Sequence, residues 1–438
     1  MGGKTVSILF ILTLIVGVVL GGCSSLTKPN SIGRSETAEK VTVKLMHLWP
    51  ARSSKQHNMI VNDIVAEYEK INPNVKIEQE MISNEQYKEK LKILAASNEL
   101  PDVGMTWAAG FLDPYVKGNK FATLDDLLES GLEDSFIIGT PEAYTVDGKT
   151  YGLPLELNIA PVFYNKKIFE EYNLEIPETY EELIAIVNKL NENGVTPITL
   201  GNKDRWSGSL WYMYLADRIS GPETVTKAIN RTGTFEEPAL IQAATEIQNL
   251  VGMNAFVKGF NGLSNEEAKS LFTNEQAAMY LMATWELPNF TTNEDISQDF
   301  RNSVGFFKFP TIEGGKGDIN SFVGGPGVGL FVSENSLVKE EAKRFVQFFV
   351  EKWGERSVTD AGVIPATKVD TTNLALPQMY IDVLNQLNNA SNITLYADVQ
   401  MGASVAEEHL NQIQALFGGA ITPEEFAKRH EEVLKANK

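Results

Sequence analysis

The chain segment that decides the fold begins with Val41-Thr-Val-Lys-Leu-Met-His-Leu-Trp49 and ends with Pro101-Asp-Val-Gly-Met-Thr-Trp107. Apolar residues alternate at Val41, Val43 and Leu45, as they do in a β-strand. Between the two quoted runs lie a helical pattern, a second alternating stretch and a second helical pattern. Strand–helix–strand–helix–strand is typical of a parallel α/β sheet with right-handed connections. We therefore predict an α/β fold whose first lobe is built on these strands.

The ends of the first and third strands form a candidate binding edge. Ligands of parallel α/β sheets bind beyond the carboxyl ends of the strands. Trp49 and Trp107 both stand at such ends. Ser53 and Ser54 follow the first strand, either as caps of the next helix or as polar groups at this edge.

The length of the chain predicts more than one lobe. A single hydrophobic core stops growing at about 250–300 residues, and this chain has 438. The extended stretch 151–165 contains two prolines, which suits a crossover between lobes better than a central strand. The glycine-rich stretch 321–330 and the stretch 362–365 predict a second and a third crossover. We expect lobe 1 to comprise residues 41–155 with 320–362, and lobe 2 residues 156–319 with 363–438.

The first residues of the chain predict an export signal. Lys4 precedes an apolar run over residues 6–20, and Leu20-Gly-Gly-Cys23 follows it. This ending resembles the bacterial lipoprotein box, in which the peptide is cut before the cysteine and that cysteine is lipidated. Residues 1–22 would then be a cleaved signal peptide, Cys23 the lipidation site and residues 23–40 a tether. The alternative is a membrane-spanning anchor. Such a helix needs about 20 apolar residues, and the apolar run over residues 6–20 is shorter.

Composition excludes several classes of function. The net charge of −19 repels nucleic acid and anionic lipid head groups. Cys23 is the single cysteine, so the folded part has no thiol for a disulfide, a metal or a nucleophile. The four histidines form no His-Glu-x-x-His pair and no spaced metal set, and no Gly-x-Ser-x-Gly elbow occurs. We therefore expect neither a metal nor a cofactor, although a pair of glycosidase carboxylates is not excluded by counting.

Five short motifs, in this order and spacing, resemble the extracellular solute-binding proteins of ABC importers, in their carbohydrate-binding, maltose-binding-protein-like branch. The motifs are Leu100-Pro-Asp-Val103 before Trp107, Tyr151-Gly-Leu-Pro154, Val162-Phe-Tyr-Asn-Lys-Lys-Ile-Phe169 with Pro177-Glu-Thr179 and Glu182, Phe272 and Ala277-Ala-Met279 before Trp285, and Gly362-Val-Ile-Pro365. The resemblance implies a two-lobed fold of the type II periplasmic-binding-protein class, with about three hinge crossovers and the sugar between the lobes. It also implies no catalysis, a monomer, and delivery of the sugar to permease subunits in the membrane.

The chain has six tryptophans, and the flat ring of a tryptophan can cover the apolar face of a sugar ring. We expect Trp353, on an apolar helical stripe, and Trp211, in an apolar run, to be core residues. Trp49, Trp107, Trp206 and Trp285 each stand where an apolar run meets a loop; Trp206 is expected within a loop over residues 202–211. They would stack on sugar or plug the edge of a lobe, and the resemblance places a stacking tryptophan at Trp285.

Polar side chains near these tryptophans would bind the hydroxyl rim of a sugar. The candidates are Ser53, Ser54, Glu156, Asn158, Asp204 and Glu286, with Gly325 as a point where backbone approaches the ligand or the other lobe. Maltose-binding relatives carry an acid five residues before their aromatic-Tyr-Asn-Lys motif. Asn158 occupies that position here, and Glu156 is the candidate to take over the role.

The sequence therefore predicts a lipid-anchored carbohydrate receptor of an ABC importer, held outside the cytoplasm on a Gram-positive cell surface. Two alternatives remain open. One is a binding protein for another solute, such as a peptide, or one that reports to a sensor kinase. The other is a surface glycoside hydrolase or lyase.

Overall fold

The computed structural model describes residues 40–437 of the chain. The expected signal peptide, the lipidation of Cys23 and all but the last residue of the tether lie outside the described residues.

Thirteen strands are present in the described part of the chain. They are β1 (Val41–His47), β2 (Val75–Met81), β3 (Val103–Thr106), β4 (Thr145–Val146), β5 (Lys149–Thr150), β6 (Leu153–Pro154), β7 (Leu157–Ile159), β8 (Val162–Asn165), β9 (Met279–Leu281), β10 (Val304–Phe307), β11 (Ser321–Pro326), β12 (Gly329–Val332) and β13 (Asn392–Thr394).

Seventeen α-helices accompany them in the same residues. They are α1 (Lys55–Ile71), α2 (Asn84–Ser97), α3 (Ala109–Lys117), α4 (Asp125–Leu127), α5 (Lys166–Glu171), α6 (Tyr180–Glu192), α7 (Trp206–Ser220), α8 (Thr224–Ile229), α9 (Pro238–Gly252), α10 (Asn265–Thr273), α11 (Leu287–Thr291), α12 (Gln298–Ser303), α13 (Lys339–Arg356), α14 (Gln378–Asn388), α15 (Ala397–Gln400), α16 (Ala403–Phe417) and α17 (Pro423–Ala436). None of the helices within residues 40–437 has the length and apolar character needed to cross a membrane.

Lobe 1 is built on a five-stranded sheet in the order β2-β1-β3-β12-β6. Strand β1 is parallel to both β2 and β3, which confirms the arrangement predicted from the first three strands. Strand β12 comes from much later in the chain and is antiparallel to β3 and β6. Helices α1 and α13 pack together over this sheet, so lobe 1 needs both chain segments to complete its core.

Lobe 2 contains two three-stranded sheets, in the orders β10-β8-β9 and β13-β11-β7. The loop expected over residues 202–211 is wrong, because helix α7 begins at Trp206. Residues 207–218 of this helix are all buried. A helix that is covered on every side has no polar face, so its sequence lacks the amphipathic period by which helices are recognised.

The three predicted crossovers lie side by side where the lobes meet. The first passes from β6 of lobe 1 to β7 and β8 of lobe 2. Its residues 155–157 bond to both other crossovers. The bonds run from Gly327 N to Glu156 O (2.8 Å), Leu155 N to Val328 O (2.9 Å), Leu157 N to Ile364 O (3.0 Å) and Ala366 N to Leu155 O (3.0 Å).

In the second crossover, the chain passes from the sheet of lobe 2 to the sheet of lobe 1. It does so after residue 320, where the sequence predicts the boundary between the lobes. Strand β11 still pairs with β7 and β13, whereas β12 belongs to the sheet of lobe 1. The change therefore falls at Gly327 and Val328. A run of glycines cannot show by periodicity which of its residues leaves one sheet for the next, because it has no side chains to alternate.

Candidate ligand-binding site between the lobes

Three tryptophans keep part of their rings exposed, namely Trp107, Trp206 and Trp285. Trp211 and Trp353 are buried in the core, which confirms the expectation for both. The three exposed rings come from different lobes, since Trp107 follows β3 and the other two lie at α7 and after β9.

Trp49 is the exception among the four candidates. Its side chain is 5% exposed, and its ring stacks on Trp353 with the centroids 4.5 Å apart and the planes 5° apart. His57 covers it at 4.9 Å. The expected stacking of Trp49 on a ligand is therefore wrong, because α13 folds back over the end of β1 and takes the ring into the core of lobe 1.

A continuous set of contacts joins Trp107 of lobe 1 to Trp285 of lobe 2. The ammonium group of Lys88 lies 5.0 Å from the centre of the Trp107 ring, and it pairs with Glu85 at 3.5 Å. The Glu85 carboxylate accepts a hydrogen bond of 3.2 Å from the indole N–H of Trp206. Trp206 meets Trp285 edge to face, with the centroids 5.8 Å apart. This series of contacts thus links the tryptophan rings of the two lobes.

The first crossover is hydrogen-bonded to Thr284, the residue before Trp285. The buried carboxylate of Glu156 accepts hydrogen bonds from His57 Nε2 (3.1 Å) and from Asn158 Nδ2 (3.3 Å). The amide oxygen of Asn158 accepts one from Thr284 Oγ1 at 3.0 Å, and Thr284 directly precedes Trp285. The structure therefore brings Glu156 and Asn158 together beside Trp285, joined to lobe 1 through His57.

Glu286, the residue after Trp285, is buried in lobe 2. It accepts a hydrogen bond of 2.6 Å from Asn289 and lies 3.6 Å from the ammonium group of Lys269. Burial alone would lower the pKa of Lys269, but the carboxylates of Glu286 and Glu266 outweigh it and raise that pKa, so the lysine stays charged. Lys269 also reaches the backbone carbonyl of Ser53 at 3.5 Å, which ties the start of α1 to lobe 2.

Among the other predicted polar candidates, Asp204 has a local structural partner, whereas Ser54 does not cap α1. Asp204 accepts a hydrogen bond of 2.7 Å from Asn265 N at the start of α10, and burial raises the pKa of its carboxyl. Ser54 is the residue before α1 and makes no side-chain cap, which leaves its hydroxyl and that of Ser53 half-buried at the edge of lobe 1.

Gly325 is a packing position. It is buried, pairs with Asn158 across β11 and β7, and has a φ of +127°. A Cβ atom added there would lie 2.9 Å from Leu395 Cδ1. The backbone at Gly325 packs closely against β7 and Leu395. This packing, and not the expected approach to a ligand, requires glycine.

Several residues of the site were not predicted, namely His57, Glu85, Lys88, Lys269, Tyr396 and Asp398. The ring of Tyr396 lies 5.9 Å from that of Trp285. Burial raises the pKa of Asp398, and the next largest effects on that carboxyl come from Lys88 and Glu85 of the other lobe. Glu85 and Lys88 stand on a helix whose polar face gives no signal in sequence that another lobe covers it.

The charged groups near the tryptophans are mostly negative. Six carboxylates, from Glu85, Glu156, Asp204, Glu266, Glu286 and Asp398, stand against the ammonium groups of Lys88 and Lys269. Such a surface disfavours an anionic ligand. Among residues 40–437, no three or more His, Cys, Asp or Glu side chains are arranged to hold a metal ion.

A separate open groove of about 860 Å³ lies on lobe 2 between β10 and α14. Phe306 and Met379 are among its lining residues, and none of the predicted site residues borders it. The described residues show no partner for this groove.

Similarity to known proteins is found in both sequence and structure. A Pyrococcus horikoshii ABC transporter extracellular-binding protein is 25% identical over 293 residues, which is 64% of each chain and thus less than two thirds of that relative. The multiple sugar-binding protein of Streptococcus mutans is 23% identical over 342 residues, 76% of each chain.

Two solved structures superpose on nearly the whole described chain. One, from work on xylan utilization by the thermophilic bacterium Caldanaerobius polysaccharolyticus, has a TM-score of 0.85 at 32% identity and covers 89% of this chain and 99% of its own. The other is a chitin oligosaccharide binding protein with a TM-score of 0.84 at 25% identity, covering 91% and 98%. Both bear out the two-lobed α/β fold.

The model of one protein family matches residues 56–352, which is more than half of the chain. The match includes α1 except its first residue, the first crossover, Trp107 and Trp285. The family is one of binding proteins. This chain therefore belongs to the bacterial extracellular solute-binding proteins.

Proposed function

We propose that this protein captures a carbohydrate, most naturally an oligosaccharide, between its lobes and delivers it to the permease of an ABC importer. The observation that carries the proposal is the set of contacts from Trp107 through Lys88 and Glu85 to Trp206 and Trp285. Flat rings suit the apolar faces of sugars, and the carboxylates and amide around them suit hydroxyl groups. The relatives named for sugars and the chitin oligosaccharide binding protein support the same ligand class.

Binding is coupled to closure of the lobes about the crossovers. A ligand that touches rings on both lobes binds the closed form better than the open one, so it shifts the population toward closure. Ser53, Glu156, Asn158, Trp206 and Glu286 would contact its hydroxyl rim or its rings, and Ser54 and Asp204 stand at the margins. Lobe 1 would comprise residues 41–155 with 320–362, and lobe 2 residues 156–319 with 363–438, with the second boundary moved to Gly327.

The location outside the cytoplasm follows from the family, and the anchoring is part of the proposal. Leu20-Gly-Gly-Cys23 would be cut before Cys23, and lipid on that cysteine would hold a monomer at the membrane, on a Gram-positive surface. Radioactive palmitate fed to expressing cells should label the wild-type protein and leave Cys23→Ser unlabelled. Equal labelling of the two would contradict the anchor.

The ligand site is tested at Trp285. Isothermal titration calorimetry with xylo-, chito- and malto-oligosaccharides should find at least one that binds the wild type. Trp285→Ala should weaken that ligand by about tenfold or more, because a stacked aromatic contributes roughly 1–3 kcal/mol and each 1.4 kcal/mol is tenfold. The half-exposed Tyr172 follows α5 and is none of the candidate site residues, so it supplies the control Tyr172→Ala, which should bind as the wild type does. Unchanged affinity in Trp285→Ala would contradict the site, and no saccharide binding at all would contradict the function.

A further inference from the structure

The side chain of Tyr396 is buried, yet its hydroxyl has no hydrogen-bond partner within the described part of the chain. The residue is 8% exposed. Most buried polar groups in native proteins are hydrogen-bonded, because leaving one unpaired costs free energy. An unpaired hydroxyl at such a place therefore needs an explanation.

The surroundings of this hydroxyl are those of the ligand site. Its ring lies 5.9 Å from the ring of Trp285, at an angle of 56°. Burial, then the nearby phenol of Tyr214 and the carboxylates of Asp398 and Glu156, raise the pKa of Tyr396 well above its usual range. The hydroxyl thus stays protonated and is able to donate. The Tyr214 hydroxyl is itself engaged, since it donates to the carbonyl of Ala160 at 2.5 Å.

Other buried tyrosines show that an unpaired hydroxyl does not by itself mark a site. Tyr212 also has a buried hydroxyl without a partner among residues 40–437. Its ring packs against His409 and Phe426 in the core of lobe 2. Tyr396 differs because its ring lies beside that of Trp285.

We propose that the Tyr396 hydroxyl is a direct ligand contact and donates a hydrogen bond to one hydroxyl group of a neutral saccharide bound beside Trp285. A sugar hydroxyl is able to accept such a hydrogen bond. The ligand would then satisfy the orphan phenol, which has no partner without it. This inference rests on the proposed function in one respect, that the saccharide occupies the space between the lobes.

The test is the variant Tyr396→Phe, which removes one oxygen atom and keeps the ring. Its affinity for the oligosaccharide that binds the wild type best in the calorimetric panel should fall about threefold to tenfold, as for the loss of one hydrogen bond. Its melting temperature without ligand should be equal to or above that of the wild type, because an unpaired buried hydroxyl has been removed. Opposite effects on affinity and on ligand-free stability are not expected from a residue with only a structural role.

Tyr212→Phe is the matched control, since it removes an unpaired hydroxyl that lies in the core of lobe 2. It should leave the affinity unchanged. An affinity of Tyr396→Phe equal to that of the wild type, or a loss equal to that in Tyr212→Phe, would overturn the role of Tyr396. Trp285→Ala separates this failure from that of the proposed function: if it loses binding while Tyr396→Phe does not, the site stands and only the tyrosine contact is wrong. If the wild type binds no saccharide, both are wrong.

Discussion

At the scale of single residues, two buried histidines of lobe 2 form a hydrogen-bonded chain. His430 Nδ1 donates to the carbonyl of Phe426 at 2.7 Å. With both imidazoles neutral, His430 Nε2 accepts from His409 Nδ1 (2.9 Å), and His409 Nε2 accepts from the hydroxyl of Ser209 (2.7 Å). Burial of both rings disfavours a charge on either imidazole.

The neutral chain predicts that stability declines in acid. Burial lowers the pKa of His430 from 6.5 to about 4, against smaller opposing effects of the Phe426 carbonyl and Glu431, and burial and His430 lower that of His409. Between about pH 6.5 and pH 4 the unfolded chain binds protons that the native state does not, so the free energy of unfolding falls as the pH falls, by roughly 2–3 kcal/mol for one such group. Urea unfolding at steps across this window measures it.

The variant His430→Gln isolates that effect from the carboxylates. Burial raises the pKa of Asp204 and of Asp398, so these acids act in the opposite direction, but they do so equally in both proteins. The variant should be less stable at pH 7 and lose less stability on acidification. Parallel pH profiles for the two proteins would show that the histidine chain does not titrate in this way.

At the scale of elements, a strand, helix or crossover could be predicted when its sequence signal lies within a few neighbouring residues. The parallel arrangement of β1, β2 and β3 could be predicted because each strand and helix shows its own period within a few residues. The crossovers could be predicted from prolines and glycines, whose backbone limits act locally. Helix α7 could not, because burial on all sides removes its period.

The candidate site was predictable only in part for a related reason. Trp107, Trp206 and Trp285 were recognised at the ends of apolar runs, and each is partly exposed. Trp49 has the same kind of position, but α13, from the far end of the chain, supplies the Trp353 ring that covers it. Tyr396 carries no local signal, since only the fold brings the residue after β13 to Trp285.

At the scale of the whole molecule, the lobes touch at a position that only glycine fits. Gly110, in the first turn of α3, lies against the end of α15, which packs on α7, α8 and α16 of lobe 2. A Cβ atom added to Gly110 would lie 2.4 Å from the carbonyl oxygen of Gln400. The exposed ion pair between Lys55 and Asp295 also bridges the lobes, at 2.6 Å, but exposed pairs contribute little. Steric fit at Gly110 therefore constrains how far the lobes close more strongly than this ion pair does.

Replacing Gly110 with alanine should accordingly impair closure while leaving each lobe folded. The new methyl group overlaps backbone of the other lobe, an overlap that costs about 1–3 kcal/mol when it is not relieved. Opening the lobes relieves it, so the melting temperature without ligand should change little, whereas affinity for the bound saccharide should fall about tenfold.

Small-angle scattering should show that saturating saccharide compacts the wild type more than Gly110→Ala. Gly252→Ala is the control, because a methyl group there meets no atom within 4 Å. Equal compaction and affinity in Gly110→Ala and Gly252→Ala would mean that contact between α3 and α15 does not limit closure.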